Sequence, residues 1–192
     1  MHLSGITTST AKLVEELKGT GIKLADTRKT TPGLRLLEKY AFKCGGGINH
    51  RLGLDDAAML KENHLAWSNS IEISVQKLRE NLPWTTKIII EAETPKQAED
   101  AVKAGVDGVL LDEMNPEVIS SLVPKLRDLA LLNIQNGGSG KVNIEISGIN
   151  PINIKDYAST GVDLISSSSP ITKSTWIDFS MRFNEYKETS GL

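Results

Sequence analysis

The sequence has little of what marks secreted, membrane-spanning or nucleic-acid-binding proteins. Its single cysteine, Cys44, allows no disulfide within the chain, which suits a reducing cytoplasm. No apolar run approaches the roughly 20 residues that span a bilayer, and no basic-then-apolar signal segment begins the chain. A formal net charge of -2 argues against general affinity for nucleic acids or membrane surfaces. We therefore expect a cytoplasmic globular protein that binds neither.

The charge is unevenly distributed along the chain. Between Lys23 and Lys61 there are eight lysines and arginines but four acidic residues, a local surplus of four positive charges. If these side chains converge in the fold, the pocket that they form attracts anions. Cys44 lies in the same segment, on a helical pattern just before three glycines, and we expect it to pack rather than to react.

Short apolar runs alternate with helical patterns from residue 22 onward. The runs are apolar nearly throughout, which is typical of strands buried on both faces. Pro95 and Pro116 lie in the first turns of two predicted helices, with Thr94 and Asn115 as predicted N-caps. The predicted strands are 22–26, 63–67, 87–93, 108–113, 142–148 and 163–168, and the predicted helices are 34–44, 55–61, 70–81, 95–104, 116–132 and 151–159.

This alternation predicts a parallel sheet in one α/β domain that covers residues 1–192. Segments 99–111 and 155–166 share a helix end, a glycine, Val-Asp and an apolar strand, at an offset of 56 residues or about two βα units. Such a repeat favours a cyclic array, but 192 residues are few for eight units. We predict an incomplete, TIM-like parallel βα barrel of six to seven strands, with an open doubly wound sheet as the alternative. The stretch 133–141 is typical of a surface loop.

Side chains that follow the strands of a parallel βα array gather at one edge of the sheet. In the first half of the chain these side chains are cationic, which suits a phosphorylated or polycarboxylate ligand. In the second half they are carboxylates, which suit Mg²⁺ or sugar hydroxyls, and then a Ser/Gly turn, which suits a phosphate. The candidates are Arg28, Lys29, His50, Arg51 and Lys61, then Glu91 and Asp112, then Ser147, Gly148 and the run Ser166 to Ser169.

Each candidate also has an alternative without a ligand. Arg28 and Lys29 could be a solvated loop pair, and His50 could be a surface histidine. The serine run could be a plain loop. Glu91 and Asp112 are flanked by apolar residues. Because a buried carboxylate needs a partner, function is the favoured interpretation for these two.

The segment 26–64, DTRKTTPGLRLLEKYAFKCGGGINHRLGLDDAAMLKENH, resembles the signature of the quinolinate phosphoribosyltransferases, also called carboxylating nicotinate-nucleotide pyrophosphorylases. Glu91 in IIEAE, Asp112 in LLDEM, and the segments EISG and YASTGVDLIS follow in the family's order. The resemblance runs from about residue 2 to residue 184 and places Met1 within the family's first barrel helix.

The resemblance implies an incomplete α/β barrel, usually dimeric, that joins quinolinate to phosphoribosyl pyrophosphate in NAD biosynthesis. The products would be nicotinate mononucleotide, pyrophosphate and CO₂, and Mg²⁺ would be required. The implied catalytic residues are Lys29, Glu91 and Asp112. The implied binding residues are Arg28, Lys29, His50, Arg51 and Lys61 for quinolinate and the diphosphate, Glu91 and Asp112 for ribose and Mg²⁺, and Ser147, Gly148, Ser167 and Ser168 for the 5′-phosphate.

The sequence also departs from the family pattern. The family carries an N-terminal domain before the barrel, and we expect this sequence to lack it, so that an open, wet barrel mouth leaves little activity. The family's SGG is SGI here, and its glycine-containing phosphate turn is SSSSP, in which hydroxyls would replace the glycine contacts. Two alternatives therefore stay open: a non-catalytic anion-binding barrel, and a paralogous phosphoribosyltransferase with a different acid substrate.

Overall fold

A computed structural model of the chain describes residues 1–68, 70–136 and 139–183. Residues 137 and 138 of the predicted loop and residues 184–192 of the predicted domain lie outside these ranges. No helix within them is long and apolar enough to cross a membrane. The strands are β1 (Lys23–Ala25), β2 (Ala58–Leu60), β3 (Ile88–Ala92), β4 (Gly108–Asp112), β5 (Asn143–Ser147) and β6 (Leu164–Ser166). The α-helices are α1 (His2–Glu16), α2 (Arg35–Cys44), α3 (Glu62–Ala66), α4 (Ile71–Asn81), α5 (Pro95–Lys103), α6 (Pro116–Leu132) and α7 (Ser169–Thr172), with 3-10 helices at Asn133–Asn136 and Pro151–Tyr157.

The strands form one parallel sheet in the order β1-β6-β5-β4-β3-β2. A parallel bridge between Ala25 and Ile48 adds a seventh position beside β1. Residues that follow β1 and β2, at opposite edges of the sheet, line the same cavity, so the sheet curves round on itself. The predicted incomplete parallel barrel is confirmed, and an open doubly wound sheet would not bring these two edges together.

The strands divide their side chains between a helix-covered outer face and an inner face. The outer side chains, among them Ile90, Leu111 and Ile146, are fully buried against the helices. The paired positions on the inner face include Glu91 beside Leu110 and Leu110 beside Glu145. On the inner face of β3 and β4 apolar residues precede the polar strand ends, so these segments show near-continuous apolar runs, whereas β5 alternates polar and apolar residues.

Two predictions around β2 are wrong. Residues 58–60 of the predicted helix 55–61 form β2, and residues 63–66 of the predicted strand 63–67 belong to α3. A three-residue strand carries too little alternation to be told from a helical turn, and pairing with β3 decides its conformation. The Lys61 backbone N–H then donates a hydrogen bond to His64 Nδ1 (3.1 Å) at the start of α3.

Other local predictions had mixed outcomes. Thr94 caps α5 through a reciprocal box with Gln97, as predicted, but Asn115 precedes α6 without a side-chain hydrogen bond. Residues 151–157 of the predicted helix 151–159 are 3-10 rather than α. The residue pattern did not predict α1, which packs on α2. The expected packing of Cys44 is wrong: it is exposed at the end of α2, whose buried face is formed by other residues.

The sequence repeat has a structural counterpart in two aspartates at the amino ends of β4 and β6. The Asp107 carboxylate accepts hydrogen bonds from the backbone N–H of Ile88 (2.9 Å) and from Arg79 (2.7 Å). The Asp163 carboxylate likewise accepts hydrogen bonds from the backbone N–H of Ile144 (2.7 Å) and from Arg127 (2.8 Å). Each aspartate thus ties its own strand to the start of the neighbouring strand and to a helix.

We expect Asp107→Ala to destabilise the fold in a pH-dependent way. Burial alone would raise the pKa of Asp107, but hydrogen bonds from Ile88, Lys87 and Arg79 outweigh it and lower the pKa. A lowered pKa means that the stabilisation is complete above the unfolded value of about 4 and is lost as pH falls through the folded value. Urea unfolding should show a loss of about 2 kcal/mol at pH 7 and a smaller loss near pH 3.

Asp100→Ala is the matched control for this measurement. Among the residues that the structure describes, Asp100 pairs only with the exposed Lys96 and Lys103 on its own helix, so its removal should cost no measurable stability. An equal loss for Asp107→Ala at both pH values would contradict the assigned role of the carboxylate.

Candidate functional site

The carboxyl ends of all six strands open into one cavity of about 400 Å³, here called the carboxyl-end cavity. The barrel geometry explains this convergence, because parallel strands end at the same side of a curved sheet. All the candidates from the sequence except Ser169 line it, namely Arg28, Lys29, His50, Arg51, Lys61, Glu91, Asp112, Ser147, Gly148, Ser166, Ser167 and Ser168. Their shared location is a finding, whereas their individual roles stay predictions.

Arg28 and Lys29 follow β1 and bring uncompensated positive charge to the cavity. The loop is shaped locally: the Thr27 hydroxyl accepts a hydrogen bond from the Lys29 backbone N–H (3.1 Å), and the Thr30 N–H donates to the Arg28 carbonyl (3.0 Å). Within the part of the chain that the structure describes, neither cationic side chain forms a hydrogen bond or an ion pair. Lys29 is exposed and Arg28 is half-buried, so both can reach a ligand.

Arg51 is a buried cation on the same wall of the cavity. It is 8% exposed, and its guanidinium donates to the carbonyl of Ala57 (2.7 Å). Burial lowers the pKa of Arg51, and the positive charge of Arg28 lowers it further. Two guanidinium groups that repel each other at a partly buried site favour an anion between them.

His50 lies in the cavity but both of its ring nitrogens are occupied. Its Nδ1 accepts a hydrogen bond from the backbone N–H of Arg51 (2.7 Å), so this nitrogen carries no proton. Its Nε2 therefore carries the proton and donates to Glu145 (3.1 Å) across the barrel. In this arrangement the imidazole is neutral, and it orients the Arg51 segment rather than adding positive charge.

Lys61 and Glu91 form an ion pair at the edge of the sheet. The register of β2 and β3 pairs Leu60 with Ile90, so the following residues, Lys61 and Glu91, come side by side. Glu91 is 9% exposed, and Lys61 supplies the partner that a buried carboxylate requires. The prediction assigned Lys61 to quinolinate and the diphosphate, and Glu91 to ribose and Mg²⁺. The structure makes these two residues direct neighbours.

Asp112, Ser147 and Gly148 form a compact unit where β4 and β5 end. Asp112 is paired with Ser147 in the sheet register, and the Ser147 hydroxyl donates a hydrogen bond to the Asp112 carboxylate. Gly148 has φ 73°, and a Cβ at this position would lie 2.5 Å from the Glu113 Cγ and 3.1 Å from Asp112 Oδ1. Glu113 itself has φ 53°, an uncommon conformation for a residue other than glycine.

The serine run after β6 contributes to the cavity unequally. The Ser166 hydroxyl is buried and donates to the carbonyl of Ile146 (3.4 Å), which is a structural role. The Ser167 N–H donates to the Ala25 carbonyl (3.0 Å), and the Ser167 hydroxyl accepts from the Ser169 N–H (3.2 Å). Ser167 and Ser168 are half-buried and line the cavity, so their hydroxyl groups can contact a ligand.

Three acidic residues that line the cavity were not among the predicted site residues: Asp26, Glu113 and Glu145. Asp26 is fully buried and accepts hydrogen bonds from Lys39, Asn49 and the backbone of His50. Glu145 is buried too, with Oε2 bonded to His50 and Oε1 without a partner among the described residues. The signal for Glu145 was present: it lies between two isoleucines, the same kind of apolar context that singled out Glu91.

The predicted Mg²⁺ ligands, Glu91 and Asp112, end neighbouring strands and face the same cavity. The described residues contain no group of three or more His, Cys, Asp or Glu side chains arranged to hold a metal ion. Mg²⁺ commonly binds through one or two carboxylates together with water and substrate phosphates. Two carboxylates that line one cavity therefore fit such an ion, and the Mg²⁺ assignment stays a prediction.

The fold and the cavity define a class of protein: an incomplete α/β barrel with cations and carboxylates around one carboxyl-end cavity. The family model for "Quinolinate phosphoribosyl transferase, C-terminal domain" matches residues 6–182. The chain therefore belongs to the quinolinate phosphoribosyltransferase family.

Similar proteins agree with this assignment. A probable carboxylating nicotinate-nucleotide pyrophosphorylase from Synechocystis is 44% identical over 95% of this chain and 59% of the relative. Another with that name from Archaeoglobus fulgidus is 39% identical over 95% of this chain and 68% of the relative. The crystal structure of NadC from Streptococcus pyogenes has a TM-score of 0.85 at 39% identity, covering 95% of this chain and 60% of that one. The chain thus spans about 60% of the length of the first and third of these proteins.

We expect Gly148→Ala to disturb the wall of the cavity. The substitution combines the cost of a left-handed backbone, about 1 to 2 kcal/mol, with a clash against Glu113 and Asp112. Gly33→Ala is the matched control, because Gly33 has φ 79° but nothing lies within 4 Å of its Cβ position. Urea unfolding should therefore show a clearly larger loss for Gly148→Ala, and equal losses would mean that the close contact is not formed.

Proposed function

We propose that this chain forms the catalytic barrel of an enzyme that transfers phosphoribosyl from phosphoribosyl pyrophosphate to quinolinate. The reaction releases pyrophosphate and CO₂ and yields nicotinate mononucleotide, a precursor of NAD. The observation that carries the proposal is the charge distribution in the carboxyl-end cavity of a member of this family. Arg28 and Lys29, which have no partner among the described residues, and buried Arg51 adjoin the carboxylates Glu91 and Asp112 in one space.

Arg28, Lys29 and Arg51, here called the cationic wall, would bind the quinolinate carboxylates and the pyrophosphate group. Quinolinate carries two carboxylates, and Arg28 and Arg51 offer guanidinium forks that match them. Lys29 is a compact charge on an exposed loop and can stabilise the pyrophosphate as it leaves. Lys61 can contact a substrate only while it remains paired with Glu91, so it lies between the cationic wall and the carboxylates.

The carboxylates would act on the ribose. Nitrogen attacks the anomeric carbon as the bond to pyrophosphate breaks, and positive charge develops on the ribose ring. Glu91 and Asp112 can stabilise that charge and accept hydrogen bonds from the ribose hydroxyls. Lys61 and Ser147 hold the two carboxylates in place. The same carboxylates would hold Mg²⁺, which when bound neutralises charge on the diphosphate oxygens.

Decarboxylation follows from the product of the transfer. Once the ring nitrogen carries ribose it is cationic, and the carboxylate at the adjacent carbon can leave as CO₂. The electron pair of the broken bond stays on that ring carbon, where the neighbouring positive nitrogen stabilises it, and a proton from water then completes the ring. The chain needs to hold the intermediate, and this step does not require a general base.

The 5′-phosphate would lie against Ser147, Gly148, Ser167 and Ser168. Because Gly148 has no side chain, its backbone is accessible from the cavity. Ser167 and Ser168 contribute half-buried hydroxyl groups to the same cavity. Hydroxyl and N–H donors can hold phosphate oxygens without a glycine loop.

Lys29→Ala tests the proposed function. The assays use the chain joined to the N-terminal part of the Synechocystis relative, of whose length the chain spans 59%. With quinolinate, phosphoribosyl pyrophosphate and Mg²⁺ the joined chain should release CO₂ and pyrophosphate, and titration calorimetry should show quinolinate binding. Removal of a cation that contacts the leaving group should lower turnover about 100-fold. Lys96→Ala is the control, because Lys96 lies on the outer helix α5 and pairs with Asp100.

The outcomes separate the open alternatives. Quinolinate binding without turnover would favour a non-catalytic anion-binding barrel. Binding and turnover of a different acid would favour a paralogous transferase. Full activity in Lys29→Ala would contradict the assignment of the cationic wall.

We also propose that the chain is cytoplasmic and assembles into a homodimer or a larger homo-oligomer. Support for assembly comes from α2, on which Leu36 is 72% exposed and Tyr40 is 67% exposed, since exposed apolar side chains in one region favour association. Sedimentation equilibrium should give a mass of at least twice 20.9 kDa, and a single-chain mass at micromolar concentration would contradict the proposal.

A further inference from the structure

Helix α2 carries two adjacent, oppositely charged side chains that are both buried. Glu38 is 0% exposed and Lys39 is 2% exposed, although charged side chains are almost never fully buried unless paired. Neither residue lines the carboxyl-end cavity. Their burial therefore needs an explanation other than contact with a ligand.

Lys39 holds the segment that contains His50 and Arg51. Its ammonium donates to the Asp26 carboxylate and to the backbone carbonyl of His50 (2.9 Å). The Asp26 carboxylate in turn accepts from the backbone N–H of His50 (2.8 Å) and from the Asn49 side chain (2.6 Å). Both polar groups of the His50 backbone thus end on one buried ion pair, which fixes the chain immediately before Arg51.

Glu38 holds the other cationic loop. One carboxylate oxygen accepts from the backbone N–H of Thr31 (2.8 Å), two residues after Lys29, and the other contacts His2 (2.7 Å). Arg35, at the start of the same helix, donates to the Arg28 carbonyl (3.3 Å) and to the Leu52 carbonyl (3.0 Å). Side chains on successive turns of α2 therefore form hydrogen bonds with both loops.

The two loops need such a restraint because they carry like charges. Burial and then the positive charge of Arg28 lower the pKa of Arg51, as expected for two cations that line one cavity and repel each other. Loops that relaxed apart would have to be brought together again when a ligand binds, at a cost in affinity. A buried ion pair that bonds to backbone groups resists this relaxation with directional hydrogen bonds.

We propose that Glu38 and Lys39 are positioning residues that preorganise the cationic wall: Lys39, through Asp26, holds the His50–Arg51 segment, and Glu38 holds the Arg28–Lys29 loop. This inference rests on the proposed function for its effect on ligand binding. The claim that α2 orders the two loops does not depend on the reaction.

The test combines a double substitution with two readouts. Asp26→Asn with Lys39→Met removes both charges together, so no buried charge is left unpaired, and the carboxamide oxygen can still accept from His50. We expect faster amide hydrogen exchange in residues 49–52 and a dissociation constant for inorganic pyrophosphate that rises about tenfold, the equivalent of about 1.4 kcal/mol. For turnover, we expect KM for quinolinate to rise more than kcat falls.

The matched control is Asp107→Asn with Arg79→Met, an ion pair at the opposite end of the barrel. It should change stability but neither the exchange of residues 49–52 nor pyrophosphate binding. If the Asp26–Lys39 double variant behaves like this control, with lower stability alone, the positioning role is overturned.

Glu38→Gln provides a second variant that keeps shape and a hydrogen-bond acceptor. It should speed exchange in residues 28–31 and leave residues 49–52 unchanged, and unchanged exchange in 28–31 would overturn the role of Glu38. The proposed function fails separately, if the unmodified chain binds neither quinolinate nor pyrophosphate. Hydrogen exchange would then still decide whether α2 orders the loops.

Discussion

The register of the parallel strands is the constraint on which the site depends. Because β2 and β3 pair in one register, Lys61 falls beside Glu91, and because β4 and β5 pair in one register, Asp112 falls beside Ser147. A shift by one residue would turn these side chains into the helix layer and bring isoleucines into the cavity. The outer face, packed with fully buried isoleucine, valine and leucine, makes such a shift prohibitive. The apolar core thus determines where the polar chemistry lies.

Charge balance is the second organising feature. Lys61 pairs with Glu91 and Ser147 donates a hydrogen bond to Asp112, whereas Arg28 and Lys29 have no partner among the described residues. The demand for negative charge at Arg28 and Lys29 is therefore unmet, and substrates rich in phosphate and carboxylate groups would satisfy it. The buried pair of Asp26 and Lys39 contributes no net charge, so it restrains the loops without altering this demand.

Much of the site could be predicted from the sequence because it lies where strands end. Polar residues such as Arg28, Glu91 and Asp112 stand out directly after apolar runs, and parallel topology sends them to one edge. The family resemblance then gave an order and a role to each of them. What could not be predicted depends on tertiary pairing. A strand as short as β2 has no periodicity of its own. The sequence therefore predicted a helix where β2 lies and a strand where α3 lies. Lys39 looked like an ordinary helix lysine, because nothing local shows that Asp26 lies opposite it.

The central claim is that the carboxyl-end cavity binds an aromatic diacid on its cationic wall. The most direct measurement is a crystal structure of the chain with quinolinate bound. We expect the two carboxylates to contact Arg28, Lys29 and Arg51, with the ring nitrogen directed towards Glu91 and Asp112. Quinolinate bound outside this cavity, or bound within it only against Ser147, Ser167 and Ser168, would contradict this assignment.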